Sequence, residues 1–251
     1  MMPLKSQSHR LDHLLVSHKL FESRSRARDA FVRGTVTVNG QTVVKPGQVF
    51  PPDVIVEIAD PARQYVSRAA LKLAAALDHF QFPVSGMSCL DVGASTGGFT
   101  EVLLERGAGH VTAVDVGHGQ MHERIAADPR VTNLEGLNAR DLVREHLGER
   151  PISVVVSDVS FISLRLALPP ALNLAEADAI CVLLVKPQFE AGRDAIGKGG
   201  LLKKPESAAG IAAEIERWLT EEMGWSSLGI IPSPIAGGDG NQEFLLAGRK
   251  T

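Results

Sequence analysis

The stretch from Ser88 to Thr100, SCLDVGASTGGFT, constrains this chain more than any other. A short apolar run ends in Asp91-Val92-Gly93, turns through Gly97-Gly98, and enters an apolar helix at Phe99 and Val102-Leu103-Leu104. This is the pattern of the first βα unit of a nucleotide-type doubly wound fold, where glycines admit a ligand that a Cβ would block. Twenty-two residues past Gly93 a second apolar run, Val111 to Val114, ends in Asp115. At that spacing an acidic side chain reaches a ribose diol.

Beyond the glycine loop, apolar runs recur at 110 to 116, 131 to 134, 152 to 157, 179 to 185, 228 to 231 and 243 to 247. Helical stretches separate them, the longest from Pro205 to Met223. With the first run they predict an α/β fold: a seven-stranded, mainly parallel sheet, Rossmann-like, with helices on both faces. A 44% hydrophobic share suffices for such a core. Cys89 and Cys181 fall inside apolar runs, which predicts two packed thiols in a reducing cytoplasm rather than a disulfide. The longest unbroken apolar run, Ala179 to Val185, is far short of the roughly 20 residues of a membrane-spanning helix. With no signal peptide at the front, the expectation is a cytoplasmic protein with neither membrane nor metal partner. The sequence is silent on oligomeric state.

Net charge is −3, unevenly spread. Residues 1 to 72 hold 11 Lys and Arg against 6 Asp and Glu, a balance of +5, while residues 73 to 251 hold 15 against 23, a balance of −8. The basic excess sits at the front, as a footprint for a polyanion would. There RLDHLLVSHKL reads as a short amphipathic helix, and SRSRARDAFVRG as a second, capped by Ser23 and stopped at Gly34. TVTVNGQTVV alternates with period two around Asn39-Gly40, a hairpin signal, and KPGQVFPPDVIVEI supplies a turn and a closing strand.

This segment resembles the alpha-L RNA-binding domain of a small-subunit ribosomal protein, pseudouridine synthases and bacterial tyrosyl-tRNA synthetases. Arg10-Leu11-Asp12, the run Ser23 to Arg28, Gly34 with Val36, Val38-Asn39-Gly40 and Lys45-Pro46-Gly47 carry the match. The resemblance implies that Arg10, Ser23, Arg24, Arg26, Arg28 and Lys45 grip structured RNA, mainly through phosphates, which specify no sequence. A solvated helix face is the alternative.

ADPAR, from Ala59 to Arg63, reads as a linker. YVSRAALKLAAALDHF follows as a helix capped by Ser67, from which Lys72 projects, on residues alone read as a surface lysine snorkelling at the stripe's edge. In a parallel sheet, ligands bind at the carboxyl ends of the strands. Those ends carry DVGASTGG, then Asp115-Val116, then Asp158-Val159-Ser160-Phe161, then Lys186-Pro187-Gln188-Phe189-Glu190, while GGDGNQEF brings in Glu243. Two lysines, an aspartate and a glutamate around one cleft call for a function, since buried charges persist only when paired. The spacing G-x-x-x-G-G departs from the dinucleotide fingerprint G-x-G-x-x-G and favours S-adenosylmethionine, which lacks a pyrophosphate.

At this point the chain is similar to one family nearly end to end. YVSRAALKL, DVGASTGGFT, VDVG, SDVSFISL, VKPQFE, GKGG and GNQEF resemble the FtsJ-type ribose 2′-O-methyltransferases, and the alpha-L module joined to them resembles the TlyA family of rRNA methyltransferases, historically called hemolysins. The resemblance implies an RNA-binding domain over 1–58, a linker over 59–66 and a methyltransferase domain over 67–251. It implies S-adenosylmethionine as cofactor, ribosomal RNA as partner and a catalytic tetrad of Lys72, Asp158, Lys186 and Glu243. A ribose hydroxyl must lose its proton as it attacks the methyl group, which calls for a positioned base. Lys186 takes that role in this reading, and Asp158 steers the hydroxyl or relays its proton. Lys72 and Glu243 orient the ribose and the base. Gly93, Ala94, Ser95, Gly97 and Gly98 wrap the methionine part of the cofactor, Asp115 accepts from its ribose hydroxyls, and Asp91, Phe99, Val116 and Asp158 complete the cofactor site. Asn138 meets the adenine or caps a helix. Arg68, with Arg193 and Lys198 in a basic loop expected to be mobile, adds RNA contacts. Two other classes stay open, a non-catalytic RNA-binding assembly factor and a membrane-damaging protein. An amino-group methyltransferase is disfavoured because Asp158-Val159-Ser160-Phe161 lacks its Pro-Pro turn.

Overall fold

A computed structural model describes residues 8–251. Contacts divide the chain into two units between Gln64 and Tyr65. The expected front domain begins with seven residues that lie outside the described ones.

The first unit runs β1 (His9–Arg10), α1 (Leu11–Ser17), α2 (Arg24–Val32), β2 (Val36–Val38), β3 (Gln41–Thr42), β4 (Val49–Phe50) and β5 (Val56–Ile58). Ser23 caps α2, its side chain accepting the Arg26 N–H at 3.3 Å. Asn39 and Gly40 lie at φ 50° and 77°, the two left-handed positions of a hairpin turn that matches strand twist. β2 is the centre of a sheet ordered β3-β2-β5. Leu11, Leu15, Phe21, Ala27, Phe31, Val36 and Val38 form a core of its own. The pair β1-β4 escaped the sequence reading because two residues are too short to show a period. The stretch read as a linker is structured: Pro61–Gln64 is a 3-10 turn, and Asp60 ties it down by accepting the Ala62 N–H and pairing with Arg33 at 2.7 Å. Tyr65 and Val66 belong to the core of the second unit.

That unit runs α3 (Ala70–Phe80), β6 (Ser88–Val92), α4 (Gly98–Glu105), β7 (His110–Asp115), α5 (Glu123–Ala126), β8 (Val131–Glu135), α6 (Arg144–Leu147), β9 (Val154–Ser157), α7 (Leu164–Ala167), α8 (Pro169–Leu174), β10 (Ile180–Val185), α9 (Pro187–Glu190), α10 (Ala208–Glu221), β11 (Trp225–Pro232) and β12 (Phe244–Lys250). Ser67 is not the cap of α3. The helix starts three residues later at Ala70, after an Ala69 that offers no side-chain cap, and the Ser67 hydroxyl accepts the Ala69 N–H in the turn before it. The seven strands lie in the order β11-β12-β10-β9-β6-β7-β8. β6 to β10 pair in parallel, while β12 runs antiparallel to β10 and β11. No helix separates β11 from β12, against expectation, because an antiparallel pair needs no crossover.

Alternate strand residues face opposite layers. Leu90, Val92 and Val155 pack with α8 and α10, and Cys89, Val154 and Val156 pack with α3 and α4. Both faces being covered, the strands read as continuous apolar runs. Cys89 and Cys181 are free and buried, and desolvation pushes the Cys89 thiol up to about 12. From β6 the chain steps outward to β7 and β8, then returns past β6 to β9 and β10. That reversal opens a crevice beside the carboxyl end of β6.

Candidate active site

Val92 pairs with Val114 on one side and Ser157 on the other, so Gly93, Asp115 and Asp158 leave the sheet side by side. Gly93 has φ 85°, and a Cβ there would lie 2.9 Å from the Asp158 carbonyl oxygen. Gly98 is small for another reason, since a Cβ on it would meet the Ser67 Cβ at 2.8 Å. One glycine brings the loop against β9, the other brings α4 against the chain entering α3. Ser95 is left-handed at φ 47° without being glycine, and its N–H donates to Asp115 Oδ2 at 2.8 Å. The other Asp115 oxygen accepts the Gly117 N–H at 2.7 Å.

Asp91 is wholly buried beneath this loop. Thr100 donates to its Oδ2 at 2.7 Å, and among the described residues its other oxygen has no partner. Burial pushes its carboxyl up to about 7, against the opposing pull of the Thr100 hydrogen bond.

A cavity of about 440 Å³ opens over the ends of β6, β7 and β9, lined by Gly93, Ser95, Asp115, Val116, Leu137, Asn138, Asp158 and Phe161 among others. Asn138 lines it and also caps a 3-10 turn, accepting the Arg140 N–H at 3.1 Å, which is the capping alternative read from the sequence. A smaller cavity of about 150 Å³ adjoins, sharing Gly93, Ser95, Asp158 and Ser160 and adding Ser67, Ala94, Gly98, Phe99 and Lys186. Asp91 and Gly97 line neither. Gly97 instead starts α4 at φ 92°.

Lys186 closes the inner cavity. Its Nζ lies 2.6 Å from Asp158 Oδ1 and donates to Ser160 Oγ at 2.7 Å. Lys72 donates to Glu243 Oε2 at 2.5 Å, a pair only 7% and 3% exposed. The four tetrad residues thus form two ion pairs, and only Asp158 and Lys186 line the cavities. The turn before β12 wraps Glu243 closely, since a Cβ on Gly237 would lie 2.8 Å from its Oε1.

Sequence reasoning missed several neighbours. Glu135, at the end of β8, accepts the N–H groups of Gly119, Gln120 (3.0 Å) and Met121 (3.1 Å), and these bonds, that of Met121 foremost, hold its carboxyl down at about 2. This folds Gln120 back to Ser95, Oγ to Oε1 3.1 Å, at the cavity edge. Phe161 is left-handed at φ 66° and 90% exposed, its ring 5.2 Å from that of Phe189. A non-glycine residue held in that region marks strain that surrounding structure enforces. The only available signal was position, three residues past a strand-end aspartate.

The loop that carries Arg193 and Lys198 forms a hydrogen-bonded hairpin. Gly197 N–H donates to the Leu201 carbonyl at 2.7 Å, and Asn241 clamps it through the Leu202 N–H (3.2 Å) and the Gly200 carbonyl (2.9 Å). Arg193 and Lys198 on it are exposed, and Arg68 is half-buried. Among the described residues, no group of three or more His, Cys, Asp and Glu side chains is placed to hold a metal, and no helix is long and apolar enough to cross a membrane.

In the first unit the expected RNA residues divide. Arg10, Arg24 and Arg28 converge on buried Asp12, whereas Arg26 turns to Glu22 (2.7 Å) and the Ala62 carbonyl (3.1 Å). Lys45 is exposed.

Residues 65–250 match the family described as FtsJ-like methyltransferase. The chain is 45% identical over 238 residues to the 16S/23S rRNA (cytidine-2′-O)-methyltransferase TlyA of Mycobacterium tuberculosis, which spans 94% of this chain and 88% of that protein. It is 38% identical over 236 residues to Hemolysin A of Brachyspira hyodysenteriae, 94% of this chain and 98% of the relative. A solved structure from Streptococcus thermophilus, named for hemolysin, superimposes with a TM-score of 0.76 at 38% identity, covering 98% of this chain and 90% of that one.

Proposed function

The chain belongs to the FtsJ-like methyltransferases and, within them, to the TlyA family, and from that premise we propose that it methylates the ribose 2′-hydroxyl of a cytidine in ribosomal RNA. The observation that carries this reading is Lys186, buried between Asp158 and Ser160 at the inner cavity, next to the larger cavity at the strand ends.

The larger cavity fits S-adenosylmethionine, the cofactor of this family. Asp115 keeps lone pairs beyond its two backbone bonds to accept from a ribose diol. Val116 and Leu137 offer apolar surface and Asn138 a carboxamide to the adenine, and Gly93 leaves room where a side chain would intrude. When bound, the cofactor supplies an electrophilic methyl group on a sulfonium.

The protein's own task is to place a hydroxyl and take its proton. Asp158, at the junction of the cavities, accepts a hydrogen bond from the 2′-hydroxyl and orients it. Lys186 receives the proton once its own has left, and the exposed Ser160 hydroxyl on its Nζ is the neighbour through which that proton reaches water. The Lys72–Glu243 pair lines neither cavity and ties α3 to the segment that enters β12. Substrate choice falls to the basic front unit, the RNA-binding domain of this reading, with Arg68, Arg193 and Lys198 as further phosphate contacts. A ribosomal RNA substrate would be met in the cytoplasm.

The test is methyl transfer from labelled S-adenosylmethionine to unmodified ribosomal subunits, with the product mapped by mass spectrometry as 2′-O-methylcytidine. Absence of any ribose methylation in rRNA, with a protein that binds the cofactor, would overturn the reading in favour of a non-catalytic RNA-binding factor.

A further inference from the structure

In the first unit, one carboxylate gathers three cations. Asp12 stands at the start of α1, where its side chain is wholly buried. Its Oδ1 accepts Arg10 Nε at 3.0 Å, and its Oδ2 accepts Arg10 Nη2 (3.1 Å), Arg24 Nε (3.3 Å) and Nη2 (3.0 Å), and Arg28 Nε (3.3 Å). The guanidinium side chains are 46%, 42% and 50% exposed. Each therefore turns an edge inward to the carboxylate and keeps further N–H donors toward solvent. The Lys45-Pro46-Gly47 turn closes on the same place. The Asp12 N–H donates to the Pro46 carbonyl at 3.3 Å, and the Arg10 guanidinium lies against Gly47. These arginines hold the Asp12 carboxyl well below the usual carboxylate range, the Arg10 hydrogen bonds contributing most.

An arginine on a helix surface normally spreads over many rotamers, and fixing it on a phosphate costs much of that side-chain entropy. Three arginines already tied to one buried carboxylate have lost most of that freedom before a ligand arrives. We propose that Asp12 is a positioning residue, which sets Arg10, Arg24 and Arg28 as a fixed three-pronged clamp for backbone phosphates of the RNA substrate. The inference rests on the RNA reading above and adds to it how affinity is produced: by geometry as well as by positive charge.

Charge and geometry predict opposite signs for Asp12→Asn. The substitution deletes a negative charge from a basic patch, so charge alone predicts tighter binding to a polyanion. Loss of positioning predicts weaker binding. Measured on the full-length protein by fluorescence anisotropy with deproteinised rRNA at fixed salt, the variant is expected to bind about tenfold more weakly. In the methyl-transfer assay KM for ribosomal subunits rises while kcat and cofactor affinity stay unchanged. Equal or tighter RNA binding by a folded variant overturns the inference. Should Asp12→Asn melt the front unit in circular dichroism, Arg24→Lys and Arg28→Lys decide, since they conserve charge but lack the Nε–H that reaches Asp12. Several-fold weaker binding by either supports the clamp, and unchanged binding by both overturns it. Failure of the wild-type protein itself to bind or methylate rRNA would instead overturn the proposed function.

Discussion

At the scale of single residues, the site separates side chains that line a cavity from side chains paired away from it. Lys186 belongs to the first set, lining the inner cavity on a buried stem. Lys186→Met should abolish methyl transfer while leaving the calorimetric affinity for S-adenosylmethionine within about twofold, since the residue is assigned to proton transfer and not to cofactor binding. Lys72 and Glu243 belong to the second, and leaving one of a buried pair uncompensated costs about 3–5 kcal/mol. Glu243→Ala is therefore expected to lower unfolding free energy in urea by that amount, and an unchanged midpoint would show that the pair does not hold the fold. Asp91 titrates in a usable range. Its folded value of about 7 stands above an unfolded value of about 3.9, so its contribution to stability is full below pH 4 and lost as pH rises through 7. Asp91→Asn should remove this dependence, with thermal melting of the wild type falling relative to the variant between pH 4 and 7. DVGASTGG made the glycines legible as a ligand loop, but not that Gly98 is there for Ser67 and Gly93 for the Asp158 carbonyl, because those partners are 31 and 65 residues away in sequence.

At the scale of elements, the loop after β7 depends on the end of β8. Glu135 gathers three successive N–H groups, Gly119 to Met121, and so fixes the segment that carries Gln120 to the cavity edge. Its folded value of about 2 lies below an unfolded value of about 4.3, so the stabilisation is present above pH 4.3 and lost as pH falls through 2. The melting-temperature gap between wild type and Glu135→Gln should be open at pH 6 and close progressively in that acid window. A gap independent of pH would deny the carboxylate its role. Strands were the most legible elements, since burial on both faces makes long apolar runs that no surface helix shares. Helix starts were less so. Ser67 carried a capping signal that the turn before α3 used locally, while the helix took its start from packing against Gly98.

At the scale of the molecule, the contact boundary falls between Gln64 and Tyr65, and Tyr65 and Val66 pack into the core of the second unit. A fragment of residues 65–251 should accordingly fold and bind S-adenosylmethionine with unchanged affinity, and lose at least about tenfold in KM for ribosomal subunits as the front unit's phosphate contacts vanish. Full activity of the fragment would move substrate recognition to the second unit. Strand number, the glycine loop, the acidic strand ends and the basic front segment were all set by the sequence itself, because periodicity, backbone freedom and charge are local properties. Its motifs also carried the resemblance that named Lys72, Asp158, Lys186 and Glu243. Only the tertiary structure decided that these four divide into two ion pairs, that Arg10, Arg24 and Arg28 share one buried carboxylate while Arg26 does not, and that Asn241 bonds the loop before Leu202. Such pairings join residues as far apart as 171 positions, and a charge chooses its partner by distance in space, which no local pattern encodes.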